Sequence, residues 1–141
     1  MEESKRLIIS FDFDFTLSIP SIEEYAKMLI EKGVEVWVVT SRYDSIEKYF
    51  PEGWTIPQYH IKAYSDLYGV AERLGIPSEH IVFTNMEYKH TYFKDHPEFI
   101  WHLDDSREEV RLINEDTSVM GICWMTDVRT WKVTCSKLLF D

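Results

Sequence analysis

The stretch Leu7-Ile-Ile-Ser-Phe-Asp-Phe-Asp-Phe-Thr-Leu17 runs an apolar segment straight into two aspartates spaced by one residue, Asp12 and Asp14, with Thr16 beyond them. A buried strand gains nothing by ending in carboxylates, whereas the carboxyl ends of parallel strands are where open α/β sheets hold their ligands. Two carboxylates this close repel each other, and either a shared proton or an intervening cation relieves the repulsion. A hard cation is the better match: Mg²⁺ takes carboxylate and carbonyl oxygens, keeps several waters and commonly works beside a substrate phosphate. An acidic surface turn would leave the preceding apolar run and the following Thr-Leu unexplained.

Three further clusters fall at or just after the ends of apolar runs. Val38-Val39-Thr40-Ser41-Arg42 puts hydroxyls at a strand terminus, where they either meet a ligand or cap a following helix. Trp101-His102-Leu103-Asp104-Asp105-Ser106 supplies a second acidic pair, which can ligate a metal or favour the start of a helix through its dipole. Lys89 opens a short helical segment before that pair, and Lys94 lies on the same segment more than one turn later.

In this order the four clusters resemble the motifs of the haloacid dehalogenase superfamily, most of whose members are Mg²⁺-dependent phosphatases. Asp12-x-Asp14-x-Thr16-Leu17 is similar to its first motif, Thr40-Ser41 to its second, Lys89 to its third and Asp104-Asp105 to its fourth. The resemblance implies that Asp12 is a nucleophile forming an aspartyl phosphate and that Asp14 is the general acid and base. It implies that Thr40, Ser41 and Lys89 bind the phosphoryl oxygens, and that Mg²⁺ is held by the Asp12 carboxylate, the Asp14 main-chain carbonyl and Asp104, with Asp105 behind them. Phe15 departs from the pattern, since the family often has glycine there, and is expected to narrow the space beside the nucleophile. No small residue or proline follows Lys89, another departure.

The elements that must position these residues alternate along the chain. Strands are expected at Leu7–Phe11, Val34–Thr40, Ile81–Thr84, Phe99–Leu103 and Ser118–Trp124. Helices are expected at Ser21–Glu31, capped by Ser21 and stopped by Gly33, around Ser45–Phe50, at Asp66–Leu74, near Tyr88–Asp95, and from Ser106 to Asn114, where Ser106-x-x-Glu109 reads as a capping box. Residues 51–64 read as irregular, with Trp54, Tyr59 and Tyr64 expected to pack against the sheet rather than stack on a ligand ring. The tail from Met125 to Asp141 is expected to pack on the sheet in a form the pattern does not specify. Alternating units of this kind predict an α/β fold, a mostly parallel sheet with helices on both faces. In the family's terms that is a three-layer, Rossmann-like core.

The whole chain sets bounds. At 141 residues, 45% hydrophobic and 28% charged, it has the size and composition of one folded domain, residues 1–141, rather than of a disordered segment. Fifteen basic against 25 acidic residues give a net charge of −10, which disfavours polynucleotide partners without excluding them. The charged start and short apolar runs predict neither a secretory signal nor a membrane span, and hence a cytoplasmic protein. Cys123 and Cys135 read as reduced thiols. The five histidines form no close metal-ligand pair, and His102 reads as a packed residue with a role behind the acidic pair left open. Walker-type loops and Gly-x-Ser-x-Gly elbows are missing, and two aspartates on one strand do not flank a sugar as a glycosidase requires.

The intervals after the first motif and between the second and third leave no room for the cap domains that give this superfamily its specificity. Capless cores act on large substrates such as phosphoproteins or polynucleotide ends, or close the site by oligomerising, while a small phosphate ester fits if residues 51–64 cover the site. The expected activity is thus phosphomonoester hydrolysis of a phosphorylated substrate of unspecified size. The alternatives are a phosphotransferase and a catalytically silent Mg²⁺- or phosphate-binding domain serving a protein partner.

Overall fold

Side chains alternate between the two faces of a strand, so a strand buried on both faces reads as a nearly continuous apolar run. Five such runs form the sheet of the computed structural model, which describes residues 6–141; the charged start at residues 1–5 lies outside the described residues. They are β1 (Ile8–Phe11), β2 (Glu35–Thr40), β3 (Ile81–Phe83), β4 (Trp101–Asp104) and β5 (Met120–Cys123). Their spatial order is β3-β2-β1-β4-β5, with every neighbouring pair parallel. The chain steps outward from β1 through β2 to β3, then returns to β1's other side with β4. This reversal between β1 and β4 is a topological switch point, where the carboxyl ends of the strands diverge and leave a crevice.

The helices are α1 (Pro20–Glu31), α2 (Gln58–Leu74), α3 (His90–Lys94), α4 (Arg107–Asp116) and α5 (Trp131–Phe140). The larger core joins Ile9, Phe11, Val36, Val38, Trp101 and Leu103 of the sheet to α1, α2 and α5. A smaller one on the other face joins Ile8 and Val39 to Phe93 of α3 and Ile113 of α4. The fold is therefore α/β with three layers, as the alternation of elements predicts. No helix among the described residues is long and apolar enough to cross a membrane.

Several boundaries differ from the sequence reading for identifiable reasons. Helix α1 starts at Pro20 with Ile19 before it, so Ser21 lies inside the first turn and does not cap it; proline is pre-set for that position. Helix α2 begins at Gln58 and absorbs half of the stretch expected to be irregular, because its buried stripe (Leu67, Val70, Ala71, Leu74) starts only past its first two turns. The apolar period that betrays a helix is absent from that exposed first part. Trp54 and Tyr59 stand in solvent and do not pack on the sheet, whereas Tyr64 is half-buried and stacks on Phe83 at 6.4 Å. The short element expected at residues 45–50 is a single 3₁₀ turn, Ile46–Tyr49.

The tail forms α5, which presents Trp131, Cys135 and Leu139 to the larger core. Trp101 donates its indole N–H to the Cys135 carbonyl at 3.1 Å, and Tyr25 meets Ser136 at 2.8 Å. Cys123 and Cys135 are free and buried. On the opposite face, the Asn114 side chain brackets Gly121, accepting its N–H at 2.8 Å and donating to its carbonyl at 3.1 Å. A Cβ on Gly121 would lie 3.0 Å from the Val110 carbonyl oxygen, so a larger residue there would make α4 give way by a few tenths of an ångström. Gly121→Ala is expected to cost about 1–3 kcal/mol, the usual cost of overpacking a close contact, measured as a lower midpoint in urea unfolding.

Candidate active site

The site follows from strand register. Ser10 of β1 lies opposite His102 of β4, and Phe11 opposite Leu103. Advancing one residue on both strands brings Asp12 beside Asp104, and alternation puts Ser10, Asp12, His102 and Asp104 on one face. That face is the one covered by α3 and α4, while Ile9, Phe11, Trp101 and Leu103 turn to the larger core. The two aspartates thus end adjacent central strands on either side of the switch point.

Lys89, immediately before α3, puts its ammonium between them, 2.7 Å from Asp12 Oδ1 and 2.6 Å from Asp104 Oδ2. All three side chains are buried, Lys89 to 2% exposure. Glu109 of α4 accepts the Lys89 backbone N–H at 3.1 Å, which fixes where α3 starts. Lys94, the other candidate, pairs instead with Asp116 at 2.9 Å on the surface.

Asp104 is held from behind. Its Oδ2 also meets His102 Nε2 at 2.7 Å, and His102 Nδ1 meets Ser10 Oγ at 2.7 Å. An ionised carboxylate only accepts hydrogen bonds, so Nε2 carries the proton and Nδ1 accepts from the Ser10 hydroxyl. The arrangement orients Asp104 from beneath the site, with Ser10 and His102 fully buried. Asp104 Oδ1 accepts the Ser106 N–H at 3.0 Å, and Ser106 Oγ accepts the Glu109 N–H at 3.2 Å. Only half of the expected capping box therefore forms, because Glu109 is turned to Lys89 and Asp104 takes its place at Ser106.

Asp105 is more than a residue behind the cluster. Oxygens of Asp12, Asp104 and Asp105 lie within 4.8 Å of one another. Fully ionised, three carboxylates and one ammonium would carry two net negative charges in a largely buried space, and the raised pKa values of Asp12 and Asp105 show that burial opposes that state. Burial raises the Asp12 pKa well above its ordinary value and, with Asp104 and Asp105 adding to it, outweighs Lys89. Burial also acts upward on Asp104, but Lys89 and His102 overcome it and hold that carboxyl well below the usual range. Burial would lower the Lys89 pKa, yet Asp12 and Asp104 together raise it. His102 is pushed down by burial and stays neutral. Three carboxylate donors, which a hard divalent cation would hold ionised against burial, fit such a cation in donor chemistry and in formal charge.

Asp14 does not join this cluster. It follows β1 on a wide turn over Phe13–Leu17, and its half-exposed carboxylate takes two hydrogen bonds from Arg42, Nε to Oδ2 at 2.8 Å and Nη2 to Oδ1 at 2.6 Å. Arg42 is buried, donates also to the Ala63 carbonyl at 3.0 Å, and lies over the rings of Phe13 and Tyr64 at 5.3 and 5.0 Å. Thr40 ends β2 with its hydroxyl fully buried and accepting the Arg42 backbone N–H at 3.3 Å; among the described residues it makes no hydrogen bond to the Asp12 cluster. Ser41 is half-buried beside it.

Phe15 does not crowd the nucleophile. Its ring is 72% exposed, its carbonyl accepts the Trp124 indole N–H at 2.9 Å, and its backbone is left-handed at φ 58°. That conformation is the physical reason a glycine suits the position. Arg42, Ser10 and Trp124 were not expected from sequence; for Ser10 the signal was present, as the one polar residue inside the β1 apolar run.

No family model, curated protein or solved structure matches the chain.

Removing one partner from a buried ion pair leaves the other uncompensated, typically at about 3–5 kcal/mol. Lys89→Met should lose stability of that order in urea unfolding with EDTA present. The double variant Lys89→Met, Asp12→Asn should recover part of it by removing one of the stranded charges.

Proposed function

We propose that the chain is an Mg²⁺-dependent phosphomonoester hydrolase of the haloacid dehalogenase type. The observation that carries this reading is the buried cluster of Asp12, Asp104 and Asp105 around Lys89, at the carboxyl ends of β1 and β4. A structural ion pair has no need of three carboxylates, whereas phosphoryl transfer is chiefly a matter of positioning and neutralising charge.

Asp12 attacks phosphorus and the ester oxygen leaves, giving an aspartyl phosphate. Asp14 protonates the departing oxygen, then takes a proton from the water that attacks phosphorus and frees Asp12. Lys89 holds Asp12 in place and neutralises phosphoryl oxygens, which the Thr40 and Ser41 hydroxyls orient. The cation is held by Asp12, Asp104 and the Asp14 main-chain carbonyl, with Asp105 near enough to share in it, and it supplies charge neutralisation when bound. His102 and Ser10 act only through Asp104, keeping its second oxygen aimed.

The hold of Arg42 on Asp14 favours a second reading, a domain that binds Mg²⁺ or phosphate for a protein partner without turnover. Hydrolysis of 4-nitrophenyl phosphate, with Mg²⁺ and with EDTA, separates the two. Wild type is expected to turn over only with Mg²⁺, and Asp12→Asn to lose at least about 10³-fold in kcat, in line with loss of a covalent nucleophile. Activity retained in Asp12→Asn would sink the mechanism. Mg²⁺-dependent binding of a phosphoryl mimic without turnover would leave the silent domain.

A further inference from the structure

Phe15 holds a backbone conformation that its side chain disfavours, left-handed at φ 58° and ψ 19°. A bulky residue rarely enters this region, whereas glycine populates it about as readily as its mirror image. Where glycine would take up the conformation freely, this chain must hold it by contacts.

The contacts lie on both sides of the residue. Its N–H donates to Ser18 Oγ at 3.1 Å, and its carbonyl accepts the Trp124 indole N–H at 2.9 Å. Peptide units are planar, so the first bond fixes the unit that also carries the Asp14 carbonyl, and the second fixes the unit leading to Thr16. Ser18 belongs to the same turn and moves with it. Trp124 stands just past β5, 109 residues away in sequence, and anchors the turn to the sheet.

Trp124 also reaches the rest of the site. Its backbone N–H donates to the Asp104 carbonyl at 3.1 Å. Its indole N–H lies 3.3 Å from the Thr16 hydroxyl, which donates to Asp12 Oδ2 at 3.4 Å. One side chain and its backbone thus tie together the segments bearing Asp12, Asp14 and Asp104, the residues assigned to the cation. Resting on the hydrolase reading, we propose that Trp124 is a positioning residue, a cross-brace that keeps the strained Phe15 turn in place so that Asp14 and Asp104 serve one Mg²⁺.

Packing alone does not account for tryptophan here. The half-buried ring rests against the larger core, which a phenylalanine could also do, whereas the indole N–H is directed wholly at the turn. The size of the effect follows from populations. A ligand whose binding conformation is present for a fraction of the time binds more weakly by that fraction. Without the indole bond, a phenylalanine backbone would keep the left-handed form for about a tenth of the time and a glycine backbone for about half.

The test is Mg²⁺ titration of the whole chain without substrate, followed by amide shifts in NMR, in wild type, Trp124→Phe, Phe15→Gly and the double variant. Trp124→Phe is expected to bind Mg²⁺ about tenfold more weakly, and the same change in the Phe15→Gly background only about twofold more weakly. Excess Mg²⁺ should restore kcat on 4-nitrophenyl phosphate in Trp124→Phe. Tyr25→Phe also removes one hydrogen bond, to Ser136 between α1 and α5, and should leave Mg²⁺ affinity unchanged. Unchanged affinity in Trp124→Phe, equal losses in both backgrounds, or a loss matched by Tyr25→Phe would overturn the brace while the hydrolase reading stood. Mg²⁺ binding without turnover in wild type would overturn the hydrolase reading alone. Wild type that binds no Mg²⁺ would overturn both.

Discussion

One buried ammonium organises this molecule. Lys89 is almost wholly removed from water, and taking such a charge inside costs several kcal/mol unless excellent geometry offsets it. The geometry comes from two directions. Adjacent strands β1 and β4 deliver Asp12 and Asp104 to within 2.7 Å of its nitrogen, while Glu109 fixes its backbone from α4. Sheet register, the start of α3 and the seating of α4 all meet at this charge. Even the capping of α4 bends to it, since Asp104 takes the Ser106 N–H that the capping box would have given to Glu109.

The two aspartates of the first cluster are separated by one residue and answer to two different cations. Asp12 ends a regular strand and faces inward to Lys89. Asp14 stands past the strand, just before the left-handed backbone of Phe15, and faces outward to Arg42. A chain continuing as a strand would have put both carboxylates on the same face, in mutual repulsion. The turn breaks that alternation, and the outcome is one carboxylate that is buried and shared, and one that is half-exposed and clasped. Residues acting at different stages of a reaction need that kind of difference in environment.

Much of the site was legible because the strands carry it in plain alternation. Ile9-Ser10-Phe11-Asp12 and Trp101-His102-Leu103-Asp104 share one pattern of apolar, polar, apolar, acid, and parallel pairing in register brings polar beside polar and acid beside acid. The acids were read as carboxylates ending apolar runs and from their resemblance to the first and fourth motifs; the Ser10–His102 support was not read, because a polar residue within an apolar run gives no sign of its partner. Arg42 was hidden for a related reason: its contacts, Asp14, Ala63 and Tyr64, come from three separate segments. Helix α2 was read short because its first turns bury nothing, and α5 was left unassigned because apolar residues such as Val133, Leu138 and Phe140 on its exposed side blur the amphipathic period.

A buried ion network is weak evidence for stability, since well-packed apolar residues in its place are often as stable or more so. The formal charges of this one do not cancel, and burial answers by displacing Asp12 toward its neutral form. An assembly built only to hold β1 against β4 would need Lys89 and one aspartate. The upward displacement of Asp12 comes first from its burial, with Asp104 adding repulsion and Asp105 a hydrogen bond. The acidic groups are confined to the carboxyl edge of the two central strands, beside the switch-point crevice. The energetic argument and the topological one therefore meet at the same few atoms: carboxyls whose ionisation is opposed by burial and by one another are the groups that a cation at that edge would hold ionised.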